Sequence, residues 1–528
     1  MKAVDAETMA PARRAGWAQG VLVAAQTARL PLTLGAVLLA AVALRLWGLG
    51  HKSLWFDEAY SVYIARQALG EIPRLLRLYD THPPLYYVLL HLWMGVAGQS
   101  EVAVRVPSVV ASLAAIGLTY LLGRRLAGEG VGLLAAVLLA ASPFQVTAAQ
   151  EARMYPFLML FGVGASYALW LALAEGRRRY WMGYVLCLVL ALYTHHFAVL
   201  LLLAHGVYVL GIHRERQAMR AWLFAVAVVV ILYLPLVPML VTQVSTARAW
   251  PNFRPPFGLR AITDMFGMFS FGGGLFGMGT YFRRGSLPLE DRGAILLPFA
   301  LLLLAGAAGL EGSRRRVFTL TYWLLPVATV ALVSFRWNMF YERYFSFVLP
   351  AFYVLLAAGV THLAGFARGR GRTVAVVAVL LLVASFNLPA LANVYREKST
   401  YDWRAAAQHV ATQARPSDYL LFIPGFARIP FQYYFNGPQV QGSLNPTLVR
   451  AEPAQVRLSD GDAARLTAIA QQHARMWIVA TIPIGYEARK EINKLLVPVF
   501  REVEGRSFGL VFTFLWESRV YGGASGRR

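Results

Sequence analysis

Long apolar stretches, separated by short polar and basic segments, dominate the first three quarters of the chain. About 20 apolar residues in a row are enough to cross the ~30 Å hydrocarbon core of a bilayer as a helix. We therefore predict an α-helical polytopic membrane protein with about eleven transmembrane helices. Their predicted bounds are 32–49, 106–123, 131–146, 157–174, 181–193, 197–211, 221–241, 294–310, 317–335, 345–366 and 373–389.

Basic residues between the apolar stretches predict the orientation of the chain, because Lys and Arg beside a span mark its cytoplasmic end. Five Arg-rich clusters all fall on that side if the apolar stretch 83–98 lies in the interface instead of spanning the membrane, and its Tyr, His and Trp side chains suit that position. The clusters lie at 124–125, 177–179, 214–216, 314–316 and 368–372. This predicts a multi-pass protein of the plasma (inner) membrane, with residues 1–30 in the cytoplasm.

Acids and bases occur together in the loops expected at the outer face of the predicted membrane module, residues 31–390. These outer loops are 51–105, 147–156, 194–196, 242–291 and 336–344. All but the third carry at least one acid and one base, whereas no Asp or Glu falls inside a predicted span. Because ionised acids are costly near hydrocarbon, acids at this depth usually line a polar cavity or a reaction centre.

The composition changes after residue 390, where long apolar stretches end. Residues 391–528 are predicted to form a small extracytoplasmic α/β domain. Its predicted elements are a helix at 403–413, strands at 418–424 and 476–482, a helix at 486–500 and a final strand at 507–516. The domain has no Gly-rich phosphate loop and no metal-spaced His/Cys cluster, so we assign it no catalytic chemistry.

Composition excludes several classes of protein. With 58% hydrophobic and 15% charged residues, a soluble globular protein is excluded. The net charge of +23 does not indicate nucleic-acid binding, since only five of the 50 basic residues are Lys and the Arg residues cluster beside spans. The single cysteine, Cys187, rules out an intramolecular disulfide.

Four short motifs occur in the predicted outer loops. They are Trp55-Phe56-Asp57-Glu58, His82-Pro83-Pro84-Leu85, Gln150-Glu151-Ala152-Arg153-Met154-Tyr155 and Glu342-Arg343-Tyr344. In this order and on one side of the membrane, they resemble glycosyltransferase family 39 of the GT-C class, which includes the protein O-mannosyltransferases and is similar to the lipid A aminoarabinose transferases. The resemblance covers roughly residues 30–390. It implies a GT-C-like fold, a sugar donor linked to polyprenyl phosphate, an active site at the outer face and inverting transfer.

The resemblance also implies roles for the acidic pair. The family places its general base at the first acid, which here is Asp57. Glu58 would then orient that base, bind sugar hydroxyls or hold a metal ion; a helix-start acid is the alternative. No metal site is predicted from spacing, because the adjacent His195 and His196 cannot readily share one ligand face, although the acidic pair leaves a divalent metal possible.

Basic side chains are needed where the leaving lipid phosphate gains charge. Arg153 and Arg343 are the first candidates for binding this phosphate, and His82 and Arg336 are the next. For Arg153 or Arg343, the alternative is a side chain that snorkels at the membrane interface. Further expected substrate-binding residues are Tyr60, Glu151, Tyr155 and Tyr344. Glu151 could instead pair with Arg153. The aminoarabinose transferases have Lys in place of His82 and Arg in place of Tyr60, which argues against that particular reaction.

The predicted function is therefore transfer of a hexose or pentose from a polyprenyl-phosphate-linked donor to a hydroxyl of a lipid, protein or glycan acceptor of the cell envelope. The expected partners are this donor, the acceptor and membrane lipids, with no nucleic acid. Two alternatives are a transporter of lipid-linked or small polar solutes and a non-catalytic assembly subunit. Carriers usually place ionisable groups near the membrane midplane and often have repeated halves, and the sequence has neither acidic midplane residues nor an internal repeat.

Overall fold

A computed structural model describes residues 32–249, 257–272, 289–444, 447–449, 455–457, 460–481 and 493–521. The predicted cytoplasmic segment 1–30 and much of the predicted outer loop 242–291 lie outside these residues. The chain forms two compact units. We call them the helical unit (Met1–Trp47, Ser108–Gln150 and Met154–Val394) and the sheet unit (Gly48–Pro107, Glu151–Arg153 and Tyr395–Arg528).

Among the described residues, the helical unit consists of α-helices, with short 3₁₀ or π segments at several helix ends. Its helices are α1 (Leu32–Leu46), α5 (Glu101–Ala127, which begins in the sheet unit), α6 (Glu129–Ala140), α7 (Pro143–Ala149), α8 (Tyr155–Glu175), α9 (Arg178–Thr194), α10 (Val199–Tyr208), α11 (Arg216–Tyr233), α12 (Val237–Ala249), α13 (Leu259–Phe271), α14 (Leu289–Gly309), α15 (Ser313–Ser334), α16 (Leu349–Gly365) and α17 (Arg370–Arg396).

These helices confirm the predicted fold class. Among the described residues, eight helical segments are long and apolar enough to cross a membrane, or nine if the bent pair α6–α7 forms one span. Two shorter helices, α1 and the 17-residue α9, lie where the sequence predicts two further spans. The apolar stretch 83–98, predicted to lie in the interface, forms a short apolar helix of 13 residues, Leu85–Ala97.

The core of the helical unit is built around α16, whose central residues are almost all buried. Helix α14 packs closely against it at two glycines, Gly306 and Gly359, where an added Cβ on either would overlap a backbone carbonyl of the facing helix. Small residues allow helices to approach this closely in membranes. The pair α6–α7 bends by 62°, where Ser142 caps α7 and Pro143 occupies its first position.

The sheet unit combines the segment after α1 with the C-terminal region. Its helices are α2 (Phe56–Ala65), α3 (Glu71–Tyr79), α4 (Leu85–Ala97), α18 (Trp403–Gln413), α19 (Arg428–Tyr434) and α20 (Asp460–Gln472). Its strands are β1 (Tyr419–Ile423), β2 (Val440–Ser443), β3 (Thr447–Val449), β4 (Gln455–Arg457), β5 (Arg475–Thr481), β6 (Phe500–Phe508) and β7 (Val511–Ser518). The main sheet has the order β2-β1-β5-β7-β6, parallel from β2 to β5 and antiparallel from β5 to β6.

The predicted α/β character of the C-terminal region is therefore confirmed, with one error in detail. Helix α18 and strands β1 and β5 lie where they were expected, but the single strand predicted at 507–516 is wrong. A hairpin turn interrupts that stretch at Gly509, whose φ of +65° favours glycine, so β6 and β7 are two antiparallel strands. Residues 486–492 of the helix predicted at 486–500 lie outside the described residues, residues 493–496 are helical, and α20 was not predicted.

Candidate active site

The acidic pair lies in the first turn of α2. Trp55 precedes the helix with extended backbone, and its N–H donates to the Glu58 carboxylate at 3.3 Å, so the third helical residue reaches back to the N-cap. Asp57 and Glu58 also place negative charge where the helix dipole is positive. The local sequence therefore fixes where the helix begins, and with it the directions of the two carboxylates.

Glu58 is buried and its carboxylate is enclosed by donors. The Arg105 guanidinium donates to both of its oxygens, through Nε and Nη2, each at 2.8 Å. The backbone N–H of Ala152 donates to Oε1 at 2.8 Å. The side chains of Glu58 and Arg105 are only 1% and 4% exposed, so this ion pair is shielded from water. Charge-assisted, bidentate pairs of this kind fix geometry strongly.

Arg105 also binds the chain that leads into α2. Its Nη1 donates to the carbonyl oxygens of Leu49 at 2.6 Å and Lys52 at 3.0 Å. One guanidinium therefore joins the start of α5, the loop before α2 and the carboxylate of Glu58, which itself holds the 151–153 segment through Ala152. Glu58 is the centre of a structural network.

Asp57, one residue earlier, has a different environment. Its side chain is 32% exposed, and its carboxylate lies 3.8 Å from Nη2 of Arg153. Arg153 is 4% exposed, and its Nη1 donates to the Asp57 carbonyl oxygen at 3.2 Å and to Oγ of Ser61 at 3.1 Å. The buried Arg153 guanidinium thus bonds the first turn of α2, and it lies close to the Asp57 carboxylate, which solvent can reach.

A second polar cluster surrounds Asp80, two residues before the His-Pro-Pro motif. Oδ1 of Asp80 accepts from Nδ1 of His82 at 2.7 Å and from the backbone N–H of Thr81, and Oδ2 accepts from the hydroxyl of Tyr87 at 2.7 Å. Asp80 and His82 are both buried. Because an ionised carboxylate accepts hydrogen bonds, it orients the imidazole with its proton on Nδ1.

The electrostatics of this cluster favour an ionised Asp80. Burial alone would raise the pKa of Asp80, but His82, the charge of Arg153 and the Tyr87 hydroxyl together lower it below its ordinary value. Burial, followed by the negative charge of Asp80, raises the pKa of Tyr60, so its phenol stays protonated and donates to the Tyr79 carbonyl oxygen at 3.1 Å. The same two causes raise the pKa of Tyr87.

Glu151 interacts electrostatically with Lys52 in the sheet unit. Burial lowers the pKa of Lys52, while the charges of Glu397, Glu151 and Glu58 oppose that change. The sheet unit thus brings together six of the ten predicted site residues. They are Asp57, Glu58, Tyr60, His82, Glu151 and Arg153.

The other four predicted site residues belong to the helical unit, where two of them share an aromatic cluster. The ring of Tyr344 lies 6.3 Å from that of Tyr155, 4.8 Å from that of His195 and 5.1 Å from that of Phe197, measured between centroids. Arg343 lies over the ring of Tyr341 at 5.9 Å. Arg336 is exposed beside Trp337, at the end of α15.

The adjacent histidines have separate environments. His195 belongs to the aromatic cluster around Tyr344, while the two ring nitrogens of His196 lie 2.9 Å from the Tyr233 hydroxyl and 2.7 Å from the Gln243 amide oxygen. Within the described part of the chain, no group of three His, Cys, Asp or Glu side chains is arranged to hold a metal ion.

Sequence reasoning missed three residues that organise the site, namely Arg105, Asp80 and Tyr87. Arg105 binds a residue 47 positions away, and nothing in its local sequence distinguishes it from the arginines that mark topology. Asp80 could have been found, because an acid two residues before a buried His is well placed to bond its imidazole.

Comparison with known proteins supports the resemblance deduced from the motifs. Residues 81–241 match the family described as dolichyl-phosphate-mannose-protein mannosyltransferase. This segment includes His82, Glu151, Arg153 and Tyr155. No curated protein matches the sequence of the chain.

Solved structures similar to this chain cover nearly all of it. The structure of ArnT from Cupriavidus metallidurans in the apo state has a TM-score of 0.55 and 15% sequence identity, covering 93% of this chain and 98% of ArnT. ArnT bound to undecaprenyl phosphate gives a TM-score of 0.57 at 13% identity, with the same coverage. AglB, the archaeal oligosaccharyltransferase from Archaeoglobus fulgidus in complex with an inhibitory peptide and a dolichol-phosphate, has a TM-score of 0.57 and 13% identity, covering 93% of this chain and 74% of AglB. The chain therefore has the fold of the GT-C membrane glycosyltransferases, and the resemblance to that class is confirmed.

Proposed function

We propose that the protein transfers a sugar from a polyprenyl-phosphate-linked donor to an acceptor hydroxyl at the outer face of the plasma membrane. The observation that carries this proposal is the contrast within the acidic pair. Glu58 is buried under four donors, whereas Asp57 is partly exposed beside the buried guanidinium of Arg153. A reactive carboxylate next to a fixed cation is what transfer from a phosphate leaving group requires.

In this reaction Asp57 is the general base. The acceptor oxygen attacks the anomeric carbon, its proton passes to the Asp57 carboxylate, and the bond between the anomeric carbon and the phosphate oxygen breaks with its electron pair going to the phosphate. Attack opposite the leaving group inverts the anomeric configuration. Proton transfer to a positioned base typically contributes ~10²–10⁴-fold to the rate.

The cation of Arg153 binds the lipid phosphate as charge develops on it. Two observations support this role: its guanidinium is buried, and it lies 3.8 Å from the proposed base. His82, oriented by Asp80, is a second phosphate-binding residue in the sheet unit. The substrate contacts expected from the sequence for Arg343, Arg336, Tyr155 and Tyr344, which belong to the helical unit, stay predictions.

Glu58 is proposed as a positioning residue that acts through the backbone. Its oxygens already accept from Arg105, Ala152 and Trp55, so its charge is used to hold α2 and the 151–153 segment in place. That segment carries Arg153. Glu58 therefore sets the relative positions of the base and the phosphate-binding guanidinium without touching substrate.

Relatives support the choice of donor. ArnT was solved bound to undecaprenyl phosphate, and AglB was solved with a dolichol-phosphate and an inhibitory peptide. Both molecules are polyprenyl phosphates, and we carry this donor class to the present chain. The transferred sugar is a hexose or a pentose.

The test uses the full chain in lipid nanodiscs with undecaprenyl-phosphate-linked hexoses and pentoses, each added with envelope fractions as acceptor. We expect one donor to release undecaprenyl phosphate, detected by mass spectrometry, and NMR of the product to show an inverted anomeric centre. Retention of configuration, or absence of release from every donor, would overturn the proposal. Asp57→Asn is the matched inactive control.

A further inference from the structure

A row of four aromatic rings runs along one face of α2 and continues onto the C-terminal region. Phe56, Tyr60 and Tyr63 lie at positions i, i+4 and i+7, which share one face of a helix. Their successive centroids are 6.0 Å and 6.4 Å apart, with interplanar angles of 28° and 31°. Phe426, in the turn before α19, meets Phe56 edge-on at 5.0 Å.

The row is partly open to solvent at both ends, since Tyr63 is 43% exposed and Phe426 is 38% exposed. The proposed base, Asp57, follows Phe56 on α2, so its side chain leaves the helix about 100° around the axis from the row, at the row's flank. Burial, followed by the charge of Asp57, raises the pKa of Tyr401 in the C-terminal region. A molecule lying along the row would therefore pass next to the first turn of α2, which carries Asp57.

The C-terminal region is fixed against α2, so Phe426 occupies a defined position. The Tyr434 hydroxyl accepts from the backbone N–H of Leu54 at 2.7 Å and donates to Glu101. Ser53 donates through its backbone N–H to Oγ of Ser399 at 2.9 Å, and through its own Oγ to the Tyr401 carbonyl oxygen at 2.7 Å. These bonds connect two residues just before α2, Ser53 and Leu54, to three residues of the C-terminal region.

From this arrangement we infer that Phe426, Phe56, Tyr60 and Tyr63 form the acceptor-binding platform, and that the acceptor is a carbohydrate chain. The inference rests on the proposed function and names the acceptor class for the same site. Sugar rings have apolar C–H faces that pack on aromatic rings, and their hydroxyls suit the neighbouring Asp57 carboxylate and Tyr hydroxyls.

Two other occupants fit the row less well. An extended peptide that binds by strand addition pairs with the unpaired backbone groups of an edge strand, but the C-terminal elements that meet α2 are a 3₁₀ turn and the helix α19. A membrane belt would consist of residues flanking spans. Phe426 instead follows strand β1 of a sheet domain, so the row continues past the end of the apolar segments.

The test measures binding of labelled hexose and pentose oligosaccharides to the full chain in nanodiscs, without donor, by saturation-transfer NMR. We expect Phe426→Ala and Tyr63→Ala to weaken binding about tenfold each, and Phe426→Trp to restore it. Affinity for undecaprenyl phosphate should not change in any of these variants. Tyr521→Ala, which removes another exposed aromatic side chain of the sheet unit, is the matched control and should have no effect.

Three results would overturn the inference. These are equal oligosaccharide binding by the wild type and Phe426→Ala, binding of a Ser/Thr-containing peptide in place of every oligosaccharide, and no oligosaccharide binding by the wild type. Failure of the proposed function would look different. In that case oligosaccharide binding would still depend on the rings, but undecaprenyl phosphate would neither bind nor be released from any donor.

Discussion

Helix α2 has an inner face, where Glu58 is buried, and an outer face, where the adjacent Asp57 is partly exposed. On the inner face, Glu58 is 1% exposed and accepts hydrogen bonds from Arg105, Trp55 and Ala152. On the outer face, Asp57 is 32% exposed and has a guanidinium at 3.8 Å. The difference fits the proposed division of tasks, in which the fully bonded buried acid holds the helix in position and the accessible acid exchanges a proton.

The largest expected effect on stability comes from removing Arg105, the counter-ion of Glu58. Arg105→Ala leaves the Glu58 carboxylate buried without its counter-ion, and loss of one partner of a buried ion pair typically costs ~3–5 kcal/mol. We expect the free energy of unfolding in mixed micelles to fall by this amount. Arg74→Ala, which breaks an exposed pair with Glu71 on α3, is the control and should cost about 0–1 kcal/mol. Equal effects of the two substitutions would contradict the anchoring role of Arg105.

A smaller effect is expected when Arg153, the cation beside Asp57, is removed. Arg153→Ala should weaken binding of undecaprenyl phosphate by ~1.5–3 kcal/mol, the value of a charge-assisted hydrogen bond. Scintillation-proximity binding to protein in nanodiscs measures it directly. Arg66→Ala removes an exposed guanidinium of the same unit and should leave affinity unchanged. Unaltered affinity in both Arg153→Ala and Arg343→Ala would show that neither binds the phosphate.

Much of the fold follows from the sequence, because the length of an apolar stretch alone determines whether it can span a bilayer. The stretch predicted at 157–174 is contained in α8, and that predicted at 317–335 overlaps nearly all of α15. The bend between α6 and α7 was missed inside the stretch predicted at 131–146, although its Ser142-Pro143 pair is a typical helix start. The β6–β7 hairpin was missed because Gly509 was read as part of a strand.

The candidate site was only partly predictable. The motif identified both acids, but it could not show which was buried, because that depends on Arg105, 47 residues further along. The two-unit grouping of the site residues is likewise a product of long-range contacts, which no local pattern encodes. By contrast, the bonds of Asp80 to Thr81 and His82 are local and follow from the turn chemistry of Asp.

The smallest expected effect is a change in protein stability with pH, caused by the buried acid Asp80. Because the folded-state pKa of Asp80 lies below the ordinary Asp value of ~3.9, its ionised form stabilises the folded protein above about pH 4. This contribution is lost as the pH falls through the lowered folded-state pKa. The groups that face Asp80 are His82, Tyr87, Arg153 and Tyr60.

Asp80→Asn should therefore lower the melting temperature at pH 7, and its difference from the wild type should shrink below about pH 4. Tyr87→Phe, which removes one donor and leaves the carboxylate, is the matched control and should retain the acid transition. A difference between wild type and Asp80→Asn that stays constant from pH 7 to pH 3 would show that Asp80 is not held ionised.

The central claim is that Asp57 takes the proton of the acceptor hydroxyl. The most direct measurement is the single-turnover rate of Asp57→Asn in nanodiscs, with the donor that the wild type uses and with the bound fraction of undecaprenyl phosphate measured on the same sample. Asn keeps the shape of Asp but cannot accept the proton, so we predict unchanged or tighter binding and a rate lower by ~10²–10⁴-fold. Turnover of Asp57→Asn at the wild-type rate would contradict the account.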